Sequence, residues 1–404
     1  MLHYLVCFFL VFPFVVVVLS LLRGKPTLKV APNAIAKQHH FACIITAYKQ
    51  YDIALPLIQS LLRQTHSNLS IYLVADACTD VQLDTTDLRV RLLCPPTPLN
   101  GKVRSMQYAL DNLMETPDYV VIFDPDNLAD SNLLSIFNDY VNAGYVAIQG
   151  KRTAKNLDTI YACADATGEI YKNYIERQVP YTLGSSATIA GSGMAIRFDL
   201  FNNFLQSSTI QQYLHKNQVI VAEDKILQNE IVKNGTVIAY ANTAIIYDEK
   251  VSNAQQVTRQ RTRWLYAYFQ NIGNSIKFLL LGITKLNVNQ LLFGIFAVYP
   301  PLFLLLFAAM LLTLIDLFVS WQWLLIMVGC IGIFGGTILW TLYLSNAPKA
   351  VWKALWGLPF FVLSQVKALF NIRQAQHDFL TTQHTKKINI DELQVNNKLP
   401  TVDK

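Results

Sequence analysis

The sequence has little charge and no paired cysteines. Only 15% of its 404 residues are Asp, Glu, Lys or Arg, against 52% apolar residues; an ordinary globular chain carries about a quarter. The six cysteines, Cys7, Cys43, Cys78, Cys94, Cys163 and Cys330, form no Cys-x-x-Cys pair. That sets aside a zinc site or a disulfide framework and leaves reduced, cytosol-facing thiols as the expectation. Cys43, in an apolar run, reads as a small buried hydrophobe. The net charge of +6 is modest, and no basic stripe interleaves with aromatics, so nucleic acid is not expected as a partner. Internal repeats and low-complexity tracts are missing. So is any Lys or Arg ahead of the first apolar run: Arg23, Lys25, Lys29 and Lys37 all follow it. A secretory signal peptide carries its basic residues first. The reverse order favours an uncleaved anchor over residues 4–22, with the N-terminus outside and residue 25 onward in the cytoplasm.

The apolar excess lies at the N-terminus and between residues 288 and 370, while 38–260 has a globular balance. Five regions follow: an N-terminal transmembrane helix at 1–24, a cytoplasmic α/β domain at 38–255, interfacial helices at 256–286, a transmembrane hairpin at 288–345, and an interfacial or re-entrant helix with a basic cytoplasmic tail at 350–404. Within the α/β domain, apolar runs at 41–48, 69–76, 119–126 and 145–150 read as strands. Helical patterns at 53–64 and near 104–115 separate them, which predicts a mostly parallel sheet flanked by helices. Pro300-Pro301 predicts a kink in the hairpin. Gly329, Gly332, Gly335 and Gly336 predict close helix packing. The stretch 354–363, flanked by Lys353 and Lys367, is short for a span.

In such sheets ligands bind beyond the carboxyl ends of the strands. Asp76 and the pair Asp124/Asp126 of FDPDN fall at such ends. Two carboxylates one residue apart are hard-oxygen ligands that suit Mg²⁺ or Mn²⁺ together with substrate phosphates. The same Asp-Pro-Asp-Asn also reads as a turn with a helix cap. Asp76 suits a nucleotide base or ribose. Gly101-Lys102 suits a phosphate, or is a plain surface loop. Gly191-Ser192-Gly193 suits close backbone approach to a ligand, or a simple strand connection. Glu223-Asp224 suits a general base on a hydroxyl, or an acidic helix start. In QRTRW, Gln260, Arg263 and Trp264 share one helical face. Arg suits a diphosphate and Trp a sugar ring, and both also suit a membrane-interface anchor.

Taken in order, VADACTD, FDPDN, GSGMAIR, VAEDK and QRTRW resemble the membrane-bound family 2 glycosyltransferases, which include the cellulose, hyaluronan and poly-N-acetylglucosamine synthases. The resemblance runs from about Phe41 to Trp264. It implies a GT-A nucleotide-diphospho-sugar transferase domain and a divalent cation. Asp76, Lys102, Asp124, Asp126, Gln260 and Arg263 would then hold the donor nucleotide diphosphate, with Asp124 and Asp126 at the metal. Asp224 would be the catalytic base, and Glu223, Trp264, Gly191, Ser192 and Gly193 would face the acceptor. The implied partners are a nucleotide sugar (a UDP-sugar foremost), a glycan or lipid-linked acceptor, membrane lipids, and export or assembly subunits. The implied setting is a multi-pass protein of the bacterial plasma membrane, making envelope or extracellular polysaccharide. Single-sugar transfer to a lipid and a non-catalytic membrane scaffold are the alternatives. The sequence departs from the family pattern at TAYKQ (46–50), at Ala75 and Ala77 beside Asp76, and at Ala222. These positions bear on which base and sugar are chosen.

Overall fold

The computed structural model describes residues 1–24, 26–28, 37–216, 220, 222–357 and 388–396. Lys25, Lys29, Lys367, residues 358–363 of the expected re-entrant helix and most of the basic tail lie outside them. The chain divides into two compact units, each assembled from separated stretches. One takes Leu28–Asn156, Ile189–Glu249 and Gln383–Lys404; the other takes Met1–Thr27, Leu157–Thr188 and Lys250–Thr382.

The first unit is built on β1 (Phe41–Tyr48), β2 (Leu69–Asp76), β3 (Val90–Leu93), β4 (Tyr119–Phe123), β5 (Leu128–Ala129), β6 (Ala147–Ala154), β7 (Met194–Arg197) and β8 (Ala239–Asp248). They form one sheet in the order β3-β2-β1-β4-β7-β6-β8-β5. β1 pairs in parallel with β2 and β4, and β2 with β3. These central strands are apolar on both faces and almost fully buried, as a sheet covered on both sides requires. β7 runs antiparallel between β4 and β6. The helices Leu55–Leu62, Lys102–Asp111 and Leu133–Asn142 bury apolar faces. The sheet is thus mostly parallel and flanked by helices, as expected. Two of the four expected strands differ in extent, and β3, β5, β7 and β8 were not expected. β4 stops at Phe123, which leaves Asp124-Pro125-Asp126 in the turn beyond it. β6 extends through polar Lys151–Thr153 because these residues continue pairing with β8, after an irregularity between Gly150 and Lys151.

β5 would be an open edge. It is covered by the terminal helix Ile390–Asn396, whose Leu393 packs with Leu128 and Tyr247 beside Ile388 and Ile390. Arg63 Nη1 meets Asp391 Oδ2 at 2.7 Å.

In the second unit, the helices Leu2–Arg23, Leu302–Val319 and Trp321–Leu344 are long and apolar enough to cross a membrane. A core of Leu10, Val17, Ala309, Met327 and Phe334 joins them to Ile175. Pro300-Pro301 separates two helices, Val288–Val298 and Leu302–Val319, where a kink was expected; proline's missing N–H breaks the ladder. Ser320 alone separates the helices Leu302–Val319 and Trp321–Leu344. The close-packing glycines are also different ones. Among the described residues, a Cβ on Gly329, Gly332, Gly335 or Gly336 would meet nothing within 4 Å, whereas one on Gly294 would lie 2.6 Å from Leu279 N and one on Gly282 would strike Leu291 N. These two glycines let the helices Val288–Val298 and Ala254–Thr284 touch backbone to backbone. The latter is a single helix of 31 residues, capped by Asn253, whose side chain accepts from Gln256 N.

Candidate active site

β4 delivers the two carboxylates. Past Phe123 the chain closes a turn: Asn127 N donates to Asp124 O and Asp124 N to Asn127 Oδ1, each at 3.1 Å. The turn is present, but β5 and not a capped helix follows it, and a turn here is compatible with the ligand reading. Asp126 is buried, its Oδ2 accepting from Glu249 N at 3.0 Å and its carbonyl from Lys155 Nζ at 3.3 Å. Burial lowers the Lys155 pKa against the opposing pull of Asp126, Glu249 and Asp248. Asp124 stays partly open, and its Oδ1 takes a 2.6 Å charge-assisted bond from Lys102 Nζ.

Lys102 opens the helix Lys102–Asp111 and gathers three separate motifs. Besides Asp124, its Nζ donates to Gly191 O at 2.9 Å and stands 3.7 Å from Glu223 Oε1. Burial alone would lower its pKa. Asp124, Glu223 and Asp224 outweigh that, and the ammonium is held above its ordinary value. Glu223 is pushed up, first by burial, with Lys102 opposing and Asp224 adding repulsion. Gly191 and Gly193 have φ of 79° and 63°, conformations that favour glycine. A Cβ on Gly191 would sit 3.8 Å from Asp224 Oδ2, so the turn lies against Asp224. Ser192 Oγ is buried with no hydrogen-bond partner among the described residues.

Asp76 ends β2, is 1% exposed, and accepts from Leu99 N at 2.7 Å and Asn100 N at 2.8 Å. Its carboxylate thus ties down the loop that leads into Lys102. Lys49, Ala77, Asn100 and Ala222 all have positive φ. Each follows a strand end or adjoins one of the motifs, and non-glycine residues held this way cluster at functional sites. Ala222 (φ 74°, ψ 44°) directly precedes Glu223-Asp224 at the start of the helix Glu223–Lys233.

A model of the glycosyltransferase-like family 2 matches residues 38–267. The chain belongs to that family. Its sheet is a GT-A-like α/β fold, consistent with the likeness to the mannosyltransferase PcManGT from Pyrobaculum calidifontis, solved with GDP-Man and Mn²⁺. That likeness has 15% identity and a TM-score of 0.50, and covers 84% of this chain and 99% of that one. S. aureus TarS is similar at 13% identity and a TM-score of 0.40, over 86% of this chain and 56% of that one. A truncated TarS, residues 1–349 with UDP-GlcNAc, is similar at 12% identity and a TM-score of 0.41, over 85% of this chain and 95% of that one. No curated protein sequence matches the chain.

Of the candidate residues of this family 2 chain, Asp76, Lys102, Asp124, Asp126, Gly191, Ser192, Gly193, Glu223 and Asp224 fall in the sheet unit. Gln260, Arg263 and Trp264 fall in the other, all three on the helix Ala254–Thr284. There Gln260 Oε1 is buried without a hydrogen-bond partner among the described residues. The Trp264 ring is met by two cations, Arg261 at 4.2 Å and Lys172 Nζ at 4.3 Å from its centroid. Arg261 Nη2 is in turn paired with Asp165 Oδ1 at 2.7 Å.

Sequence reasoning missed Asp165, Lys172, Arg261, Gln149, Arg152, Lys155 and Glu249. Two carried a usable signal. Arg261 precedes Trp264 by three residues, a helical neighbour. Gln149 is a polar side chain in an otherwise apolar strand run.

Proposed function

We propose that the chain is an inverting, nucleotide-sugar-dependent hexosyltransferase acting on a membrane-proximal acceptor in envelope or extracellular polysaccharide synthesis. The observation that carries this reading is Lys102, whose ammonium joins the Asp124 carboxylate, the Gly191 turn and Glu223 beside Asp224. Donor-side acids and the candidate base thereby belong to one site. Asp224 accepts the proton of an acceptor hydroxyl. The freed oxygen forms its bond to the anomeric carbon while the bond from that carbon to the phosphate oxygen breaks. The electron pair leaves with the nucleoside diphosphate, and one displacement inverts the centre. Lys102, held charged, offers its N–H groups to the departing diphosphate.

The donor set suits Mg²⁺ or Mn²⁺. Among the described residues no cluster of three or more His, Cys, Asp or Glu side chains forms a metal cage. The protein's share is then the Asp124/Asp126 pair, the carboxylate-plus-phosphate mode of hard cations. When bound, the cation neutralises charge on the leaving diphosphate. Asp76 and its loop border the nucleoside. Gln260 and Arg263 serve the diphosphate, and Trp264, Glu223 and the 191–193 turn serve the acceptor. A UDP-sugar is the foremost donor, with GDP-sugars as the comparison. The acceptor is a glycan or a lipid-linked sugar, with export or assembly subunits receiving the product. Three membrane-length helices among the described residues, and Arg23 at the end of the first, support a multi-pass protein of the bacterial plasma membrane, N-terminus outside and sheet unit cytoplasmic.

Membranes incubated with labelled nucleotide sugars test the reading. Asp224→Asn is expected to keep donor binding and lose transfer by about a thousandfold or more; unchanged transfer removes Asp224 from the base role. A ladder of products supports a polymerase, and one lipid-linked sugar the single-transfer alternative. No transfer from any donor by the wild type leaves the scaffold reading.

A further inference from the structure

The turn that faces Lys102 and Asp224 has little regular structure to hold it. Gly193 N donates to Ile122 O and Gly150 N to Gly193 O, both at 2.8 Å. Ahead of Gly193 the polar backbone is met by side chains. Gln149, fully buried on β6, accepts from Ala190 N through Oε1 at 2.9 Å. Its Nε2 faces three carbonyl oxygens, those of Gly150 at 3.0 Å, Ser192 at 3.0 Å and Gly193 at 3.1 Å. One amide thus grips both ends of the turn. A carboxamide suits this place because it carries an acceptor and a donor on one carbon. Two neighbours complete the frame: Gln228 Oε1 accepts from Ile189 N at 3.0 Å, and Arg152 Nη1 donates to Ala190 O at 2.8 Å. Arg152 Nη2 also pairs with Asp248, and the next residue's N–H, that of Glu249, holds Asp126. The turn and the Asp126 loop are therefore tied to a common frame, with Gln149 at its centre.

We propose that Gln149 is a positioning residue of the reaction. It latches the Ala190–Gly193 turn in the form that presents Gly191 to Lys102 and Asp224, and so governs acceptor placement and turnover while leaving donor affinity unchanged. The inference rests on the glycosyltransferase reading of the site. The hydrogen bonds of the Gln149 amide run to the backbone of its own strand and of the turn; it acts through the turn. Two left-handed glycines give the turn alternative conformations that a freed backbone would sample, so losing the latch shifts the turn without emptying the core.

The test uses the full chain in detergent with Gln149→Glu, which keeps the shape and replaces the donor by an oxygen facing three oxygens. Three quantities are read: amide hydrogen exchange across residues 189–194, nucleoside diphosphate affinity by calorimetry, and steady-state transfer. Faster exchange in the turn, nucleoside diphosphate Kd within about twofold, and kcat reduced by about tenfold or more at unchanged donor KM are expected. Unchanged exchange with unchanged kcat in the folded variant overturns the proposal. So does an equal loss of donor affinity and kcat, which marks a merely structural role. Loosened exchange with no transfer by either protein overturns the assigned reaction and upholds the latch. Should Gln149→Glu fail to fold, Arg152→Lys reports on the same turn. It keeps a charge for Asp248 and loses the fork to Ala190, and is expected to show the same split at smaller size; wild-type exchange and kcat in Arg152→Lys count against the proposal.

Discussion

Replacing Lys102 by Met keeps the stem and removes the ammonium that Asp124 and Glu223 share. The side chains of Lys102, Asp124 and Glu223 are 23%, 32% and 16% exposed. That lies between a surface pair, worth about 0–1 kcal/mol, and a buried pair, whose breaking costs about 3–5 kcal/mol. Screening by the open side of the site places the expected loss at about 2 kcal/mol. A unit of this size should then melt about 4–8 °C lower. The loss should depend on Asp124. In a cycle of Lys102→Met, Asp124→Asn and the double variant, followed by thermal unfolding in detergent, the two changes should couple by well over the ~0.3–0.5 kcal/mol expected of independent sites. Mn²⁺ sharpens the assay. In Lys102→Met the Asp124 carboxylate is no longer shared with an ammonium, so saturating Mn²⁺ should raise the variant's melting point more than the wild type's. Additive losses, or an equal Mn²⁺ response in both proteins, would refute the view that Lys102 and the cation share Asp124.

Two further predictions follow from groups already described. The Glu223 carboxyl is raised by burial above its unfolded value, so the folded state binds that proton more tightly; the stability it contributes is complete below the unfolded pKa and is lost as pH rises through the folded one. Glu223→Gln should flatten this fall of melting temperature as pH rises above the ordinary glutamate range, and parallel curves for the two proteins would count against it. In the helical unit, Gly294→Ala should destabilise by about 1–3 kcal/mol, because its methyl meets the Leu279 backbone. Gly332→Ala, whose methyl meets nothing among the described residues, should be neutral or stabilise by up to about 1 kcal/mol; thermal unfolding of the two variants side by side decides it.

The parts of this protein that sequence made legible are those whose physics is local. FACIITAY and LSIYLVAD read as strands because they are continuous apolar runs, and β1 and β2 span those residues. The candidate acids were legible because they follow such runs. β6 was found at 145–150 but its end was cut short because Lys151–Thr153 carry no apolar signal; their pairing with β8 decides their conformation. Small size says nothing of what stands opposite: the four glycines of the helix Trp321–Leu344 meet no neighbour among the described residues, whereas Gly282 and Gly294 meet a neighbouring backbone. Gln149 and Arg152 were missed for a related reason, since their meaning lies in partners about 40 residues away in the chain.

The cover over β5 bears on biosynthesis. Leu393 packs on Leu128, two residues beyond Asp126, yet it leaves the ribosome about 265 residues later, after the membrane-length helices Leu302–Val319 and Trp321–Leu344. Until then the sheet next to the Asp126 loop keeps an uncovered edge. An early stop or a fusion placed ahead of residue 388 therefore alters the flank of the candidate cation site, and a chain that retains Asp76, Asp124, Asp126 and Asp224 but lacks this segment is an unfinished enzyme.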